Sequence, residues 1–172
     1  FENTEILDIK VDGADRKWVG TKKNGVFLIS DDGTKEISHF TKENSWLLDN
    51  AVYEICILNS GEVFFVTGQG LCSYRSNASK SSKSFDDITV FPNPVKRDYQ
   101  GPIAISGLKD KTNIKITDVS GNLVYETLSL GGTATWDGKN FDGHKVATGV
   151  YLFLCIDEDF ENSIVKKVLI YN

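Results

Sequence analysis

The chain has 172 residues, of which 40% are hydrophobic and 25% are charged, and its formal net charge at pH 7 is −5. This composition is sufficient to bury a core in one or two domains without help from disulfides. The charge is shared evenly, with 10 basic and 12 acidic side chains in residues 1–84 and 9 and 12 in the rest, which argues against nucleic acid and anionic membranes as partners.

The chain starts without Met and without a basic-then-apolar leader, so we expect that residue 1 is not the start of the natural protein. No apolar run approaches the roughly 20 residues of a membrane-spanning helix. The cysteines Cys56, Cys72 and Cys155 lie in apolar stretches with no metal-type spacing. We therefore expect buried thiols and no cofactor or metal.

Short β-branched and aromatic runs alternate with Gly, Asp, Asn and Ser turns along the whole chain, which predicts an all-β protein. The stretch "EILDIKVDGADRKWVGTKKNGVFLIS" (5–30) recurs loosely as "AVYEICILNSGEVFFVTGQGLCSYRS" (51–76). The offset of about 46 residues is typical of a four-stranded propeller blade. Because propellers close with four to eight blades, we predict that residues 1–75 form the last two blades of a larger ring.

The aligned copies match Ile6 with Val52, Trp18 with Phe64 and Thr21 with Thr67. We expect Trp18 and Phe64 to fill the space between blades and each threonine to end a second strand. The repeat signature contains Asp12, Gly13, Trp18, Gly20, Thr21, Gly25, Phe64, Thr67 and Gly70.

Only the first copy offers a fourth strand, "KEISHFT" (35–41), so the second blade should have an open edge. An open edge recruits other strands, and we therefore expect self-association or lowered stability. Cys56 and Cys72 would lie on the first and third strands of one blade, about 9–10 Å apart, which is beyond disulfide reach.

A Ser/Lys-rich stretch that begins with "SNASKSSKS" (76–84) separates the repeats from the rest, and we predict a linker over residues 76–87. Beyond it, "FPNP" (91–94) fixes the backbone at two prolines. Seven strands are predicted, at 88–91, 102–107, 113–119, 122–128, 132–136, 148–157 and 163–171. This number in residues 88–172 favours an immunoglobulin-like antiparallel β-sandwich.

The loop "WDGKNFDGHK" (136–145) has the polar residues of a binding or catalytic site. Its spacing does not fit an EF-hand, and His144 lacks a nucleophile motif beside it. An irregular cation site of Asp137, Asn140 and Asp142 stays a minor alternative, and turn formation is preferred.

The strand that follows this loop is apolar at nearly every position. We expect Val150, Leu152, Leu154 and Ile156 to face the core. Tyr151 and Phe153 would then form an apolar surface on the opposite face, suited to a partner contact.

Together, "FPNP", "GPIAISGL", "ITDVSG", "GGTATWDGKN", "GHKVATGVY" and the lysine-bearing last strand closely resemble the type A C-terminal sorting domain of the type IX secretion system of Bacteroidetes. The resemblance runs from Val90 to Asn172. The residues that carry it are Pro92, Asn93, Pro94, Gly107, Asp118, Gly121, Trp136, Asp137, Gly138, Gly149, Val150, Tyr151, Lys166 and Lys167.

The upstream repeats resemble the two-component-regulator type of propeller, with a signature from Asp12 to Thr21. A propeller followed by a sorting domain is similar to the surface accessory proteins of the secretion apparatus. The resemblance implies a non-enzymatic component outside the outer membrane, with attachment-complex proteins or anionic lipopolysaccharide as partners. The alternatives are the non-catalytic end of a secreted hydrolase and part of a propeller sensor protein.

Overall fold

The computed structural model describes residues 4–171, and every helix or strand assigned within that range is a β-strand. The predicted all-β class is therefore confirmed. None of the described residues forms a helix long and apolar enough to cross a membrane. Contacts divide the chain into two compact units, Phe1–Lys80 and Ser81–Asn172.

The first unit contains two antiparallel sheets that follow the sequence repeat. The first sheet has the order β1-β2-β3-β4 and the second has the order β5-β6-β7. The strands are β1 (Ile6–Val11), β2 (Lys17–Thr21), β3 (Val26–Ile29), β4 (Glu36–Phe40), β5 (Val52–Ile57), β6 (Glu62–Thr67) and β7 (Gly70–Arg75). The four-plus-three pattern is the one that the two sequence copies predict.

Trp18 on β2 fills the space between the two sheets and is completely buried. Its ring lies 5.9 Å from that of Phe40 and 5.7 Å from that of Phe65 between centroids. The sequence alignment pairs Trp18 with Phe64, but successive side chains of a strand point to opposite faces, and Phe65 is the one that meets Trp18. Phe64 lies half-buried on the other face of β6, the side on which a further blade would pack.

The end of the first unit differs from the predicted linker. Ser76 and Asn77 accept hydrogen bonds from the Arg16 guanidinium, at 2.9 Å each, and Ala78 is buried. Ser82 already belongs to the second unit, where its N–H donates to Leu108 O. Serine and asparagine are typical of linkers, and composition alone does not show that these two satisfy a buried arginine.

The second unit contains two sheets, ordered β12-β9-β8 and β11-β10-β13-β14. Its seven strands each begin and end within one residue of the predicted bounds. They are β8 (Thr89–Phe91), β9 (Ile103–Ser106), β10 (Asn113–Asp118), β11 (Leu123–Leu128), β12 (Thr133–Trp136), β13 (Gly149–Ile156) and β14 (Ser163–Ile170). Ile103 and Ile105 from one sheet and Ile114 and Ile116 from the other belong to one shared core.

The prediction for the faces of β13 is wrong. Tyr151, Phe153 and Cys155 are buried, with 7%, 1% and 0% of their surface exposed, whereas Val150 is 36% exposed. Both alternating sets of this strand are apolar, so the sequence lacks the contrast that identifies the core face. The aromatic set faces inward, where Tyr151 and Phe153 pack edge-on against Trp136.

The three cysteines are free, but only Cys155 is buried. Burial raises the pKa of the Cys155 thiol to about 12, so this group stays protonated and behaves as a small apolar side chain. Cys56 is exposed and Cys72 half-buried, which corrects the expectation of three buried thiols. Both lie on outer strands of the second sheet, and Cys72 packs at the margin of the core that this sheet shares with the first.

The open edge of the second blade gives a first prediction. β7 pairs only with β6, and Leu71 on β7 is 61% exposed. We expect the chain to self-associate through this edge, so that its weight-average mass in light scattering rises toward twice the monomer with concentration. Leu71→Lys should suppress the rise, because a charged side chain blunts an edge strand. A constant monomer mass for the unmodified chain would contradict this account.

Candidate recognition surface

The segment Pro92–Pro94 lies along the edge of β14 and holds it through Asn93. The Asn93 amide Nδ2 donates to Lys167 O at 3.0 Å, and its Oδ1 accepts from Leu169 N at 3.1 Å. Val95 continues the contact, with its N–H donating to Leu169 O and its carbonyl accepting from Tyr171 N. The Asn93 side chain and the Val95 backbone thus occupy the edge of β14 from residue 167 to 171, and we call this contact the Asn93 latch.

The Asn93 latch gives a second prediction. Asn93→Ala removes two hydrogen bonds and should lower the free energy of unfolding of the second unit by about 1–2 kcal/mol. Amide hydrogen exchange should accelerate at Leu169 and Tyr171. Asn93→Asp is the matched variant, because it keeps the acceptor for Leu169 N–H but places a carboxylate against Lys167 O, and we expect it to be no more stable than Asn93→Ala. Wild-type exchange at Leu169 in both variants would refute the latch.

The Trp136–Gly138 segment anchors the loop that the sequence marks as site-like. Trp136 is 1% exposed, and its indole Nε1 donates to Lys139 O at 2.7 Å. Gly138 has a φ of 73°, a conformation that favours glycine, and its carbonyl accepts from Val146 N. The Asp137 carboxylate accepts from Lys139 N at 3.1 Å. These bonds fix a tight turn directly beneath the core tryptophan.

The second half of the loop is another turn, centred on Asn140. Its Oδ1 accepts from the backbone N–H of Asp142 and of His144, and its Nδ2 donates to Asp142 Oδ2. The oxygens proposed for a cation are therefore engaged in closing turns. Among the described residues, no group of three His, Cys, Asp or Glu side chains could hold a metal ion.

The β10–β11 hairpin is closed by Asp118. Its carboxylate accepts hydrogen bonds from Ser120 N, Asn122 N and Asn122 Nδ2. These bonds hold the pKa of Asp118 below its usual value, and the bond from the Asn122 side chain contributes most. Gly121 has a φ of 86° at the tip. Asp118 pairs with Tyr151 in the register of β10 and β13, so these two motif residues are neighbours.

Gly107 follows β9 and is required by a close backbone approach. A Cβ atom at this position would lie 2.4 Å from Asp87 O, and the φ of 84° is itself unfavourable for other residues.

Gly149 and Val150 begin β13, and Val150 pairs with Leu169. Lys166 and Lys167 are consecutive on β14 and therefore point to opposite faces, with Lys167 exposed.

Several motif residues converge around Tyr99, which the sequence did not single out. A shallow groove of about 460 Å³ is lined by Pro92, Pro94, Lys96, Asp98, Tyr99, Gln100 and Gly101. An adjoining depression contains Asp137 and Gly138 together with Tyr99. The Tyr99 hydroxyl donates to Pro102 O at 2.9 Å and so shapes the floor of the groove. No spacing pattern in the sequence marks this tyrosine.

The β13–β14 turn is held by Asp157, which is buried. Its carboxylate accepts from Lys109 Nζ at 2.8 Å and from Asn162 N and Nδ2. These bonds, that of Lys109 first, hold the pKa of Asp157 well below its usual range. The turn is thus fixed to the β9–β10 connection.

In the first unit, the repeat residues form matched structural contacts. Thr21 Oγ1 donates to Gly25 O at 2.9 Å, and Thr67 Oγ1 donates to Gly70 O at 2.8 Å. Gly20 packs tightly against the second blade, where an added Cβ would lie 3.2 Å from Val52.

Asp12 is the centre of the repeat signature. Its carboxylate accepts hydrogen bonds from Arg16 Nε and from Trp18 Nε1. Gly13 lies so close to Ser79 that a Cβ atom on Gly13 would be 1.9 Å from the Ser79 carbonyl oxygen. Arg16 completes this cluster, and the sequence pattern did not mark it. The described repeat residues thus hold the two blades and the exit of the chain together.

Residues 89–171 match the family model described as the secretion system C-terminal sorting domain. The chain therefore carries such a domain in its second unit, which confirms the resemblance found in the sequence. The match indicates a secreted or cell-surface protein.

Over nearly its whole length the chain resembles PorZ of the oral bacterium Porphyromonas gingivalis, described as an essential bacterial surface component of its type IX secretion system. The two are 32% identical with a TM-score of 0.67, and the alignment covers 98% of this chain and 23% of PorZ. The chain thus spans about a quarter of the PorZ structure. The curated proteins include no match.

Two more distant structures align as well. One is dimeric latent PorU of P. gingivalis, at 21% identity, with a TM-score of 0.35 over 63% of this chain and 12% of that one. The other is the extracellular domain of BT4673 from B. thetaiotaomicron, at 14% identity and a TM-score of 0.35 over 99% of this chain and 26% of that one.

Proposed function

We propose that this chain is part of a non-enzymatic surface component of a type IX secretion apparatus. In this proposal the second unit is the address that the export machinery recognises, and the first unit belongs to a propeller that serves as a binding scaffold. The observation that carries the proposal is the sorting-domain match over residues 89–171 in a chain that also aligns with PorZ through its first unit.

The geometry of the second unit supports recognition rather than chemistry. Its polar motif residues Asp118, Asp137 and Asn140 use their side-chain oxygens to close turns. A domain whose polar side chains are hydrogen-bonded within turns presents rigid loops and strand edges to a partner. In this proposal the machinery recognises the surface formed by the sorting motif, and Asn93 and Trp136 stabilise the conformation of that surface.

The first unit supports a scaffold role. Its first sheet presents Ile9, Val11 and Ile37 on the face away from the second sheet, with 50%, 55% and 43% of their surface exposed. Such a face fits a preceding blade of a larger ring. By resemblance, the ligand of that ring is an attachment-complex protein or anionic lipopolysaccharide.

The test is a deletion in the natural full-length protein, expressed in a bacterium with a type IX apparatus. Removal of residues 81–172 should leave the protein in the periplasm, since the address is lost while the first unit keeps its own core. Surface labelling with an impermeant reagent and cell fractionation measure the outcome. Normal surface display of the truncated protein would refute the proposal.

A further inference from the structure

The outer face of the sheet β11-β10-β13-β14 is an apolar stripe with basic flanks. Val150, Leu152, Leu154 and Ile156 of β13 alternate with the buried set and so point away from the core. Val165 on β14 stands beside Leu154, and Leu169 beside Val150. Val165 is 56% exposed and Val150 36% exposed. The stripe is about 20 Å long, from six strand intervals of roughly 3.3 Å.

Two exposed lysines stand on opposite sides of this stripe. Lys115 on β10 is directly beside Leu154, and Lys167 on β14 is directly beside Leu152. Within residues 4–171 neither ammonium group takes part in an ion pair, although Glu126 lies next to Lys115 in the register. An apolar stripe with a lysine on each side fits a ligand that is apolar in the middle and carries negative charge along both flanks.

The edge of the same sheet stays accessible beside the stripe. The Asn93 latch uses Lys167 O and the backbone groups of Leu169 and Tyr171. Backbone groups of alternate residues point to the same edge, so those of Val165 point outward as well. No described hydrogen bond reaches them from that side. The exposed face therefore continues to an open edge without an intervening loop.

We propose that this outer face is the surface by which the secretion machinery holds the sorting domain, and that its occupant is an amphipathic segment of a partner protein. The segment is apolar along the side that meets β13 and carries Asp or Glu on both flanks, opposite Lys115 and Lys167. A helix of roughly 13 residues covers the length of the stripe. This inference rests on the proposed export function and names the part of the second unit that is read.

A second copy of this chain and a lipid membrane are alternative occupants, and both fit this face less well than an acidic amphipathic segment. Face-to-face pairing of two copies would bring two net positive faces together. An anionic lipid surface would meet the exposed carboxylates Glu158, Asp159 and Glu161, which lie at the β13–β14 turn beside the end of the stripe. An acidic segment that lies along the middle of the stripe avoids that turn.

The test uses the natural full-length protein in a bacterium with a type IX apparatus. The double variant Lys115→Glu with Lys167→Glu should reduce the surface-displayed fraction at least tenfold, and Val165→Asp should reduce it similarly. The matched control is Lys83→Glu with Lys111→Glu, two exposed lysines of the second unit outside the face, which should be displayed as the wild type. Lys115→Arg with Lys167→Arg keeps both charges and should also be displayed normally. Thermal unfolding of each purified variant confirms that the second unit is folded.

The outcomes separate this inference from the proposed function. Normal display of both the double glutamate variant and Val165→Asp, while deletion of residues 81–172 blocks display, overturns the docking face but keeps the export address. An equal loss of display in the Lys83/Lys111 control overturns the docking face too, because the loss then follows from the change in net charge and not from this face. Light scattering that shows a dimer lost in Val165→Asp assigns the face to a second copy. Lysine-dependent binding to vesicles of phosphatidylglycerol and phosphatidylcholine assigns it to a membrane.

Discussion

Replacing Arg16 with alanine is expected to lower the free energy of unfolding of the first unit by about 3–5 kcal/mol. The Arg16 guanidinium lies 2.8 Å from the Asp12 carboxylate, and their side chains are 7% and 0% exposed. Without Arg16, the Asp12 carboxylate is a buried charge that keeps only its backbone and Trp18 hydrogen bonds. The cost is large because a buried charge without its partner has no water to solvate it.

The same substitution releases the end of the first unit, since Arg16 also donates to Ser76 and Asn77. Hydrogen exchange measured along β2 gives the stability of this unit separately from the second. Arg16→Lys keeps the charge but cannot bond Asp12, Ser76 and Asn77 together, and we expect it to recover only part of the loss. If Arg16→Ala costs less than about 1 kcal/mol, the buried cluster does not hold the blades together.

Trp136→Ala is expected to destabilise the second unit by about 3–5 kcal/mol. The ring is almost fully buried and contacts Tyr151 and Phe153, with centroids at 5.6 Å and 5.9 Å. Its removal leaves a cavity at the point where the loop 137–146 joins the core. Denaturant unfolding, followed by hydrogen exchange along β13, measures the loss.

Trp136→Phe is the control for the hydrogen bond. Phenylalanine retains much of the apolar volume but cannot donate to Lys139 O, so we expect a smaller loss together with faster exchange in the loop. Equal stability of Trp136→Ala and wild type would mean that the tryptophan is not the anchor of the motif. Surface display of the alanine variant should fall along with its folded fraction.

Strand positions could be predicted well from the sequence because several strands end at or beside a residue that favours a turn. Asp118 with Gly121 and Asp137 with Gly138 close turns whose hydrogen bonds are local, and local chemistry is visible in a sequence. The face of β13 could not be predicted, because both of its alternating sets are apolar. The choice between them depends on Trp136, which is brought beside the strand only by the fold.

The contacts that the sequence did not reveal join residues far apart in the chain. Asn93 bonds to β14 more than 70 positions away, and Arg16 bonds to Ser76 and Asn77. An asparagine between two prolines suggests a turn, and an arginine after "DGAD" suggests an exposed hairpin tip. Neither pattern reveals a partner in a distant segment. Tyr99 is similar, since its groove is formed by chain segments that no spacing rule connects.

The central claim is that the second unit is an export address, and the most direct measurement is a transfer of that unit. Residues 81–172 would be fused behind a periplasmic reporter protein and expressed in P. gingivalis and in a mutant that lacks a working type IX apparatus. The account predicts a reporter on the surface of the first strain and in the periplasm of the mutant. A reporter that stays in the periplasm of both strains, while the fused unit is folded, would contradict it.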